Sequence, residues 1–148
     1  MRRVTDAWLM CRLTHLGGAR TTVGIGCALL AIDVYLGLAA LVANATSHLA
    51  VQVLKRAVAR PRPCDPQGRP LALVELPDPF SFPSGHAAAA AALAATLALA
   101  HVWLAPLVLP LAVIVAVSRV RLRVHHASDV VAGAAFGAAG AVLAAALL

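Results

Sequence analysis

Three long apolar runs separated by two polar interruptions constrain the fold of this chain more than any other feature. The runs cover residues 23–54, 87–117 and 130–148, and a helix needs about 20 apolar residues to cross a bilayer. The first two runs each have room for two short crossings, the first with a turn near residues 33–37, and the third has room for one. Only 12% of the residues are charged, against about 25% in a soluble domain. We therefore predict an all-α, integral-membrane bundle of about five transmembrane helices, in one domain over residues 1–148.

The remaining segments have different characters. Residues 1–20 alternate arginines with large apolar side chains, which predicts an interfacial amphipathic helix. A cleaved signal peptide is the alternative, but the segment lacks a continuous apolar core. Seven prolines between residues 61 and 83 predict an extramembrane loop over the site. The three scattered cysteines indicate neither a disulfide framework nor a metal cluster.

The second polar interruption, residues 118–129, contains a candidate catalytic pair. His125 and Asp129 are four residues apart, so on a helix both lie on one face, where the carboxylate can accept a hydrogen bond from one imidazole nitrogen. The other nitrogen is then free to attack, and Arg119 offers planar donors suited to phosphate oxygens. An ordinary helix-capping pair beside juxtamembrane arginines is the alternative for this stretch taken alone. His126 points elsewhere on such a helix and is given no role.

Two earlier segments point to the same ligand. Ser84 and Gly85 precede a long alanine-rich run, as a helix N-terminus that binds an anion would, and His86 follows them directly. Lys55 and Arg62 add two cations at the end of the first apolar run. Three separated segments therefore predict one phosphate site. By contrast, the polar residues within the first run, among them His48, are interpreted as packing residues of the bundle interior.

These residues, in this order and spacing, resemble the three signature motifs of the type 2 phosphatidic acid phosphatase superfamily. The motifs are Lys55 with Arg62-Pro63, Pro83 to His86, and Ser118-Arg119 with His125 and Asp129. The resemblance implies a metal-independent, cofactor-free membrane lipid phosphatase. His125 would form the phosphoenzyme, Asp129 would orient it and His86 would protonate the leaving oxygen. The phosphate-binding residues, called the cradle below, would be Lys55, Arg62, Ser84, the Gly85 amide and Arg119.

The motifs bind phosphate and leave the lipid open: prenyl phosphates or diphosphates and glycerolipid phosphates both fit. A vanadium-haloperoxidase-like protein and a non-enzymatic membrane subunit are the alternatives, although the haloperoxidase relatives are soluble. The net charge of +6 indicates anionic lipid headgroups in the bilayer as partners, with no nucleic acid, because the arginines lie at the ends of apolar runs. We expect a multi-pass protein of the bacterial inner membrane. The basic residues share the face of the site, which predicts a cytoplasmic site unless they serve to attract substrate.

Overall fold

Helices form almost all of the regular structure. The computed structural model describes residues 2–76 and 78–148, with side chains from Trp8 onward. The helices in this part are α1 (Arg2–Thr14), α2 (Ala19–Leu30), α3 (Val34–Val58), α4 (Gly85–Ala100), α5 (Ala105–Arg121) and α6 (Ala127–Leu147), with 3₁₀ turns at His15–Gly17 and Val102–Leu104. The described residues form no β-strand, only two isolated bridges. The predicted all-α fold is confirmed.

Three of the five expected crossings have the length and hydropathy of complete membrane spans. These are Val34–Val58, Val102–Arg121 and Ala127–Leu147. The other two apolar helices, α2 with 12 residues and α4 with 16, rise only about 18 and 24 Å, less than the bilayer core of about 30 Å. The chain is a multi-pass membrane protein in which two helices are short.

The turn between α2 and α3 lies slightly earlier than the sequence predicts. Asp33 is the N-cap of α3, and its Oδ1 accepts a hydrogen bond from the Leu36 amide at 3.1 Å. Asp33 therefore ends the turn, instead of beginning it as expected. A capping aspartate satisfies an amide that the first turn of the helix leaves open.

Glycines on α6 allow the helix backbones to approach closely. A Cβ at Gly137 would lie 2.7 Å from the backbone nitrogen of Ala92 on α4, and one at Gly140 would lie 2.7 Å from the Ala43 carbonyl on α3. A Cβ at Gly133 would come still closer to the carbonyl of Ser84, at the start of α4. This packing joins the beginnings of α4 and α6.

The loop between α3 and α4 folds back over the α5–α6 connection. The Ser81 amide donates to the Arg60 carbonyl at 2.8 Å, which brings the two ends of the loop together. The Leu73 amide donates to the carbonyl of Leu122, just beyond α5, at 3.1 Å. The segment is thus tied to the helix ends and is not the freely disordered linker that its prolines also allow.

The N-terminal helix α1 packs on the bundle near the C-terminal end of α5. Arg119 Nη1 on α5 donates to Thr14 Oγ1 at 2.8 Å, and both residues are buried. The Arg12 guanidinium lies 4.5 Å from the centre of the Trp8 ring, within cation–π range. Whether α1 also lies in the membrane interface stays a prediction, and Met1 together with the side chains of residues 2–7 lies outside the described part.

Candidate active site

The residues predicted from the three motifs meet at one end of the bundle. A cavity of about 170 Å³ is lined there by residues of α3, the proline-rich loop, α4, α5 and the α5–α6 connection. The motif residues that line it are Lys55, Arg62, Gly85, His86, Arg119 and His125. Ser84 precedes Gly85 at the buried N-cap of α4, and its amide donates to the Asp129 carbonyl at 2.9 Å. Lys55 and His125, which are 70 residues apart in sequence, thus line one small space.

Two of the cradle cations are held by an aspartate that the sequence reasoning missed. Asp78 accepts from Lys55 Nζ at 2.8 Å and from Arg62 Nη2 at 3.1 Å. Partial burial favours the neutral acid, but Lys55 and Arg62 outweigh it and hold the pKa of Asp78 below its usual value. Arg62 Nη1 also donates to the Val124 carbonyl at 2.8 Å, next to His125. The two cations are therefore fixed before any ligand binds.

Two buried polar atoms of the cradle have no partner among the described residues. They are Ser84 Oγ, at the N-cap of α4, and Arg119 Nε, at the end of α5. A buried donor without a partner loses about 1–3 kcal/mol of solvation, so these atoms are suited to a ligand. The N-terminus of α4 adds backbone amides and the positive end of the helix dipole. Together they can receive the oxygens of a phosphate group.

His125 is buried and held in one tautomer by the backbone. Its Nδ1 lies 2.6 Å from the Ser81 carbonyl, and its exposure is only 4%. Because a carbonyl can only accept, Nδ1 must carry the proton and Nε2 keeps its lone pair. Burial, followed by the charges of Arg119 and Arg62, lowers the pKa of His125 to about 3, against a partial opposing effect of the Ser81 carbonyl. The side chain is therefore a neutral imidazole whose Nε2 carries no proton.

The predicted helical pairing of His125 with Asp129 is wrong in its geometry. Helix α6 begins only at Ala127, with His126 as its N-cap, so His125 lies before the helix. The distance from His125 Nδ1 to Asp129 Oδ2 is 3.8 Å, beyond hydrogen-bond range. Asp129 instead accepts from the His126 amide at 2.8 Å and from His126 Nδ1 at 3.2 Å. His126, given no role from the sequence, thus binds the aspartate directly.

A further arginine outside the motifs completes the surroundings of Asp129. Arg60 Nη1 donates to Asp129 Oδ1 and to Ser128 Oγ, each at 2.8 Å. The Asp129 side chain is fully buried, whereas that of Arg60 is 37% exposed. The motif spacing from Lys55 selects Arg62-Pro63 and gives no role to the identical dipeptide Arg60-Pro61 just before it. Asp78 could have been noticed as an acidic residue shortly before the second motif.

His86 occupies the side of the cavity towards the N-terminal segment. It lies in the first turn of α4, and a Cβ added at Gly18 would be 4.0 Å from its Nε2. His125 enters from the α5–α6 connection. Both imidazoles line the same cavity. One histidine can therefore attack a phosphate in the cradle while the other handles a proton on the leaving group.

These features define an integral-membrane protein with a built anion site: buried cations, a helix N-terminus and a neutral histidine. The family comparison agrees. Residues 35–148 match the model of the PAP2 superfamily, and the chain belongs to that family. This match covers all three motifs.

The chain resembles proteins that are named as phosphatases and a further solved structure of the same fold. It is 39% identical over 93 residues to the decaprenylphosphoryl-5-phosphoribose phosphatase of Mycobacterium tuberculosis. The aligned residues cover 62% of this chain and 50% of that relative. The chain thus spans about half the length of the curated relatives it matches. The transmembrane PAP2-type phosphatidylglycerolphosphate phosphatase of Bacillus subtilis superposes with a TM-score of 0.77 at 29% identity, over 95% of this chain and 75% of that one. Aquifex aeolicus LpxE, with a TM-score of 0.80 at 21% identity over 96% and 86%, shares the fold.

Proposed function

We propose that this protein is a membrane lipid phosphatase that hydrolyses a lipid phosphate or diphosphate through a phosphohistidine at His125. The observation that carries the proposal is the buried imidazole whose Nδ1 is bound to the Ser81 carbonyl, beside Arg62 and Arg119. A neutral histidine facing a cationic cavity has little use in packing alone. It has the form of a nucleophile aimed at an anion.

The first step transfers the phosphoryl group. His125 Nε2 forms a bond to phosphorus as the bond from phosphorus to the lipid oxygen breaks, and His86, which is protonated when the anionic substrate is bound, gives that oxygen its proton. Lys55, Arg62 and Arg119 neutralise the charge on the phosphoryl oxygens, while Ser84 Oγ and the Gly85 amide complete the cradle. These cations perform the part that a metal ion has in other phosphatases, so the reaction needs neither metal nor cofactor.

The second step regenerates the enzyme. Water attacks the phosphohistidine on the side where the lipid alcohol left, and His86, now neutral, accepts the proton of that water. The bond between phosphorus and His125 breaks, and inorganic phosphate is released. Asp129, 3.8 Å from His125 Nδ1, stabilises by its charge the positive imidazolium that attack produces. In this role it acts through space, and the Ser81 carbonyl orients the ring.

The test is phosphoenzyme trapping with purified protein in detergent micelles. Brief reaction with ³²P-labelled decaprenylphosphoryl-5-phosphoribose, phosphatidylglycerophosphate and phosphatidic acid should leave an acid-labile label on the wild type and none on His125→Ala. His86→Ala should still be labelled with a good aryl leaving group but should turn over slowly, because its proton is lost from both steps. Turnover should persist in excess chelator. Labelling of His125→Ala, or activity restored only by added magnesium, would reject this mechanism.

We also propose that the site faces the cytoplasm. The ends of α3 and α5 and the starts of α2, α4 and α6 share one end of the bundle, and the chain's twelve lysines and arginines lie in or beside these segments and α1. The opposite turns, residues 31–33 and 101–104, contain none. The positive-inside rule then favours a cytoplasmic site. A Gln67→Cys variant in a cysteine-free background should resist a membrane-impermeant thiol reagent in intact cells; labelling there would place the site outside.

A further inference from the structure

Two polar side chains of α3 line the active-site cavity although no motif includes them. His48 and Gln52 precede Lys55 by seven and three residues, so the three share one face of the helix. Both line the cavity together with Lys55 and His86, and both residues are exposed and not packed in the core of the bundle. Along the helix axis, His48 lies about 10 Å from Lys55 and Gln52 about 5 Å. The polar face of the cradle thus continues along α3 into the apolar part of the bundle.

Packing does not explain this pair, unlike the other polar residues of α3. Asn44 Nδ2 donates to Thr22 Oγ1 on α2 at 2.7 Å, and Ser47 Oγ donates to the Asn44 carbonyl at 3.0 Å. Within the described part of the chain, the only side-chain partner of His48 is Gln52, at 3.2 Å between their Nε2 atoms. Polar groups on a membrane-spanning helix are unfavourable without partners. The expectation that His48 is a satisfied interior residue is therefore wrong, because its ring faces the cavity.

The position of the pair matches the place where the lipid part of a substrate must lie. His125 enters from the α5–α6 connection, and the Ser81 carbonyl lies behind it. The group on the leaving oxygen must extend to the opposite side, past His86. The lining of the same cavity also includes Gly17, Ala19, His48 and Gln52. Gly17 is packed against His86, where an added Cβ would lie 2.8 Å from the His86 carbonyl oxygen, so His48 and Gln52 are the polar side chains of this part of the lining that remain for such a group.

We infer that His48 and Gln52 form a subsite for the oxygen-rich group that joins the scissile phosphate to the hydrocarbon of the lipid. This inference rests on the proposed phosphatase function. Between them, an imidazole and a carboxamide can donate to and accept from hydroxyl, ester or phosphate oxygens. The span of about 5–10 Å from Lys55 corresponds to a sugar ring, a glycerol diester or a second phosphate. A prenyl monophosphate has only carbon at this place, so the subsite selects for lipids that carry such a linker.

The test compares kcat/KM across substrates for the wild type, the double variant His48→Ala/Gln52→Ala and the control Leu49→Ala. Leu49 is the neighbouring residue on α3, 66% exposed and outside the cavity lining. The substrates are decaprenylphosphoryl-5-phosphoribose, phosphatidylglycerophosphate, decaprenyl diphosphate, decaprenyl monophosphate and a soluble aryl phosphate. The double variant should lose roughly tenfold or more on linker-bearing lipids, mainly through KM, because each lost hydrogen bond is worth a factor of about five. The monophosphate and the aryl phosphate should change less than twofold, and Leu49→Ala should resemble the wild type.

A Gln52→Glu variant of nearly the same size separates the possible linkers. A carboxylate repels a second phosphate, so if the subsite holds that group, the kcat/KM of Gln52→Glu should fall most with the diphosphate. A carboxylate still accepts from hydroxyl groups, so if the subsite holds a sugar or glycerol, the double variant should lose most on those lipids while Gln52→Glu changes them little. Equal losses of the double variant on all substrates, or no loss on any, would overturn the subsite while leaving the phosphatase intact. A wild type that releases phosphate from none of them would reject the phosphatase and the subsite together.

Discussion

The buried neutral imidazole of His125 should make the stability of the folded protein sensitive to mild acid. Burial and the charges of Arg119 and Arg62 lower the pKa of His125 from 6.5 to about 3. In the unfolded chain the same side chain titrates near 6.5. At a pH between these two pKa values, the His125 side chain binds a proton in the unfolded state but not in the folded state. Stability is therefore complete above about pH 6.5 and declines as the pH falls towards 3.

The size of the effect follows from the two pKa values. At pH 5 the unfolded imidazole is about 30 times more often protonated than neutral, whereas the folded one is almost entirely neutral. This difference lowers the free energy of unfolding at pH 5 by about 2 kcal/mol relative to pH 7. With 4% exposure of the residue, solvent has little opportunity to screen the charges that surround it. A loss of about 2 kcal/mol is a large part of the 5–15 kcal/mol typical of a folded domain.

The assay is reversible denaturant unfolding in mixed micelles at pH 7 and pH 5. In a His125→Asn variant the Asn Nδ2 can still donate to the Ser81 carbonyl, but the ionisable group is gone. The wild type should lose about 2 kcal/mol more than this variant on acidification, and carboxylates common to both cancel in the comparison. A His101→Asn variant, altered at an exposed histidine, should behave as the wild type does. Equal losses in the wild type and His125→Asn would refute the buried neutral imidazole and, with it, the preset nucleophile.

Three further perturbations follow from the contacts around the site. Arg60→Ala should lower stability by about 2 kcal/mol and reduce kcat, because it leaves the fully buried carboxylate of Asp129 without its cation. As a control, Arg56→Ala removes an exposed arginine of α3 and should change neither stability nor kcat in the same assays. Asp78→Asn should strengthen inhibition by vanadate several-fold in phosphate-release assays, because the Asp78 carboxylate competes with an anion for Lys55 and Arg62. Weaker inhibition would mean that the carboxylate chiefly positions these two cations. Gly137→Ala should lower the unfolding midpoint, corresponding to about 1–3 kcal/mol, by forcing α4 and α6 apart. Gly24→Ala, where an added Cβ meets nothing within 4 Å, should raise the midpoint slightly, so matching shifts in the two variants would contradict the close packing.

The side chains of the site were predictable because their chemistry and spacing are written in the sequence. Lys55, Arg62 and Arg119 lie where apolar runs end, and helices that alternate direction across a bilayer must bring every second end to the same face. The alternation also explains why the predicted fold class holds although α2 and α4 are short. What alternation cannot supply is the contact between particular groups. Asp78 and Arg60 lie in or beside a proline-rich loop whose path depends on backbone hydrogen bonds that no residue pattern encodes.

The orientation of His125 shows the same limit at a single residue. A spacing of four between histidine and aspartate fits one helical face, but here it arises from a helix start, with His126 as N-cap and Asp129 three residues later in a capping box. A residue that precedes an N-cap is not aligned by its own helix, so a distant segment must orient it. That segment is the Ser81 carbonyl, just before the second motif. The second and third motifs are thus joined by a backbone atom, and their joint presence constrains the orientation of His125 more than either motif does alone.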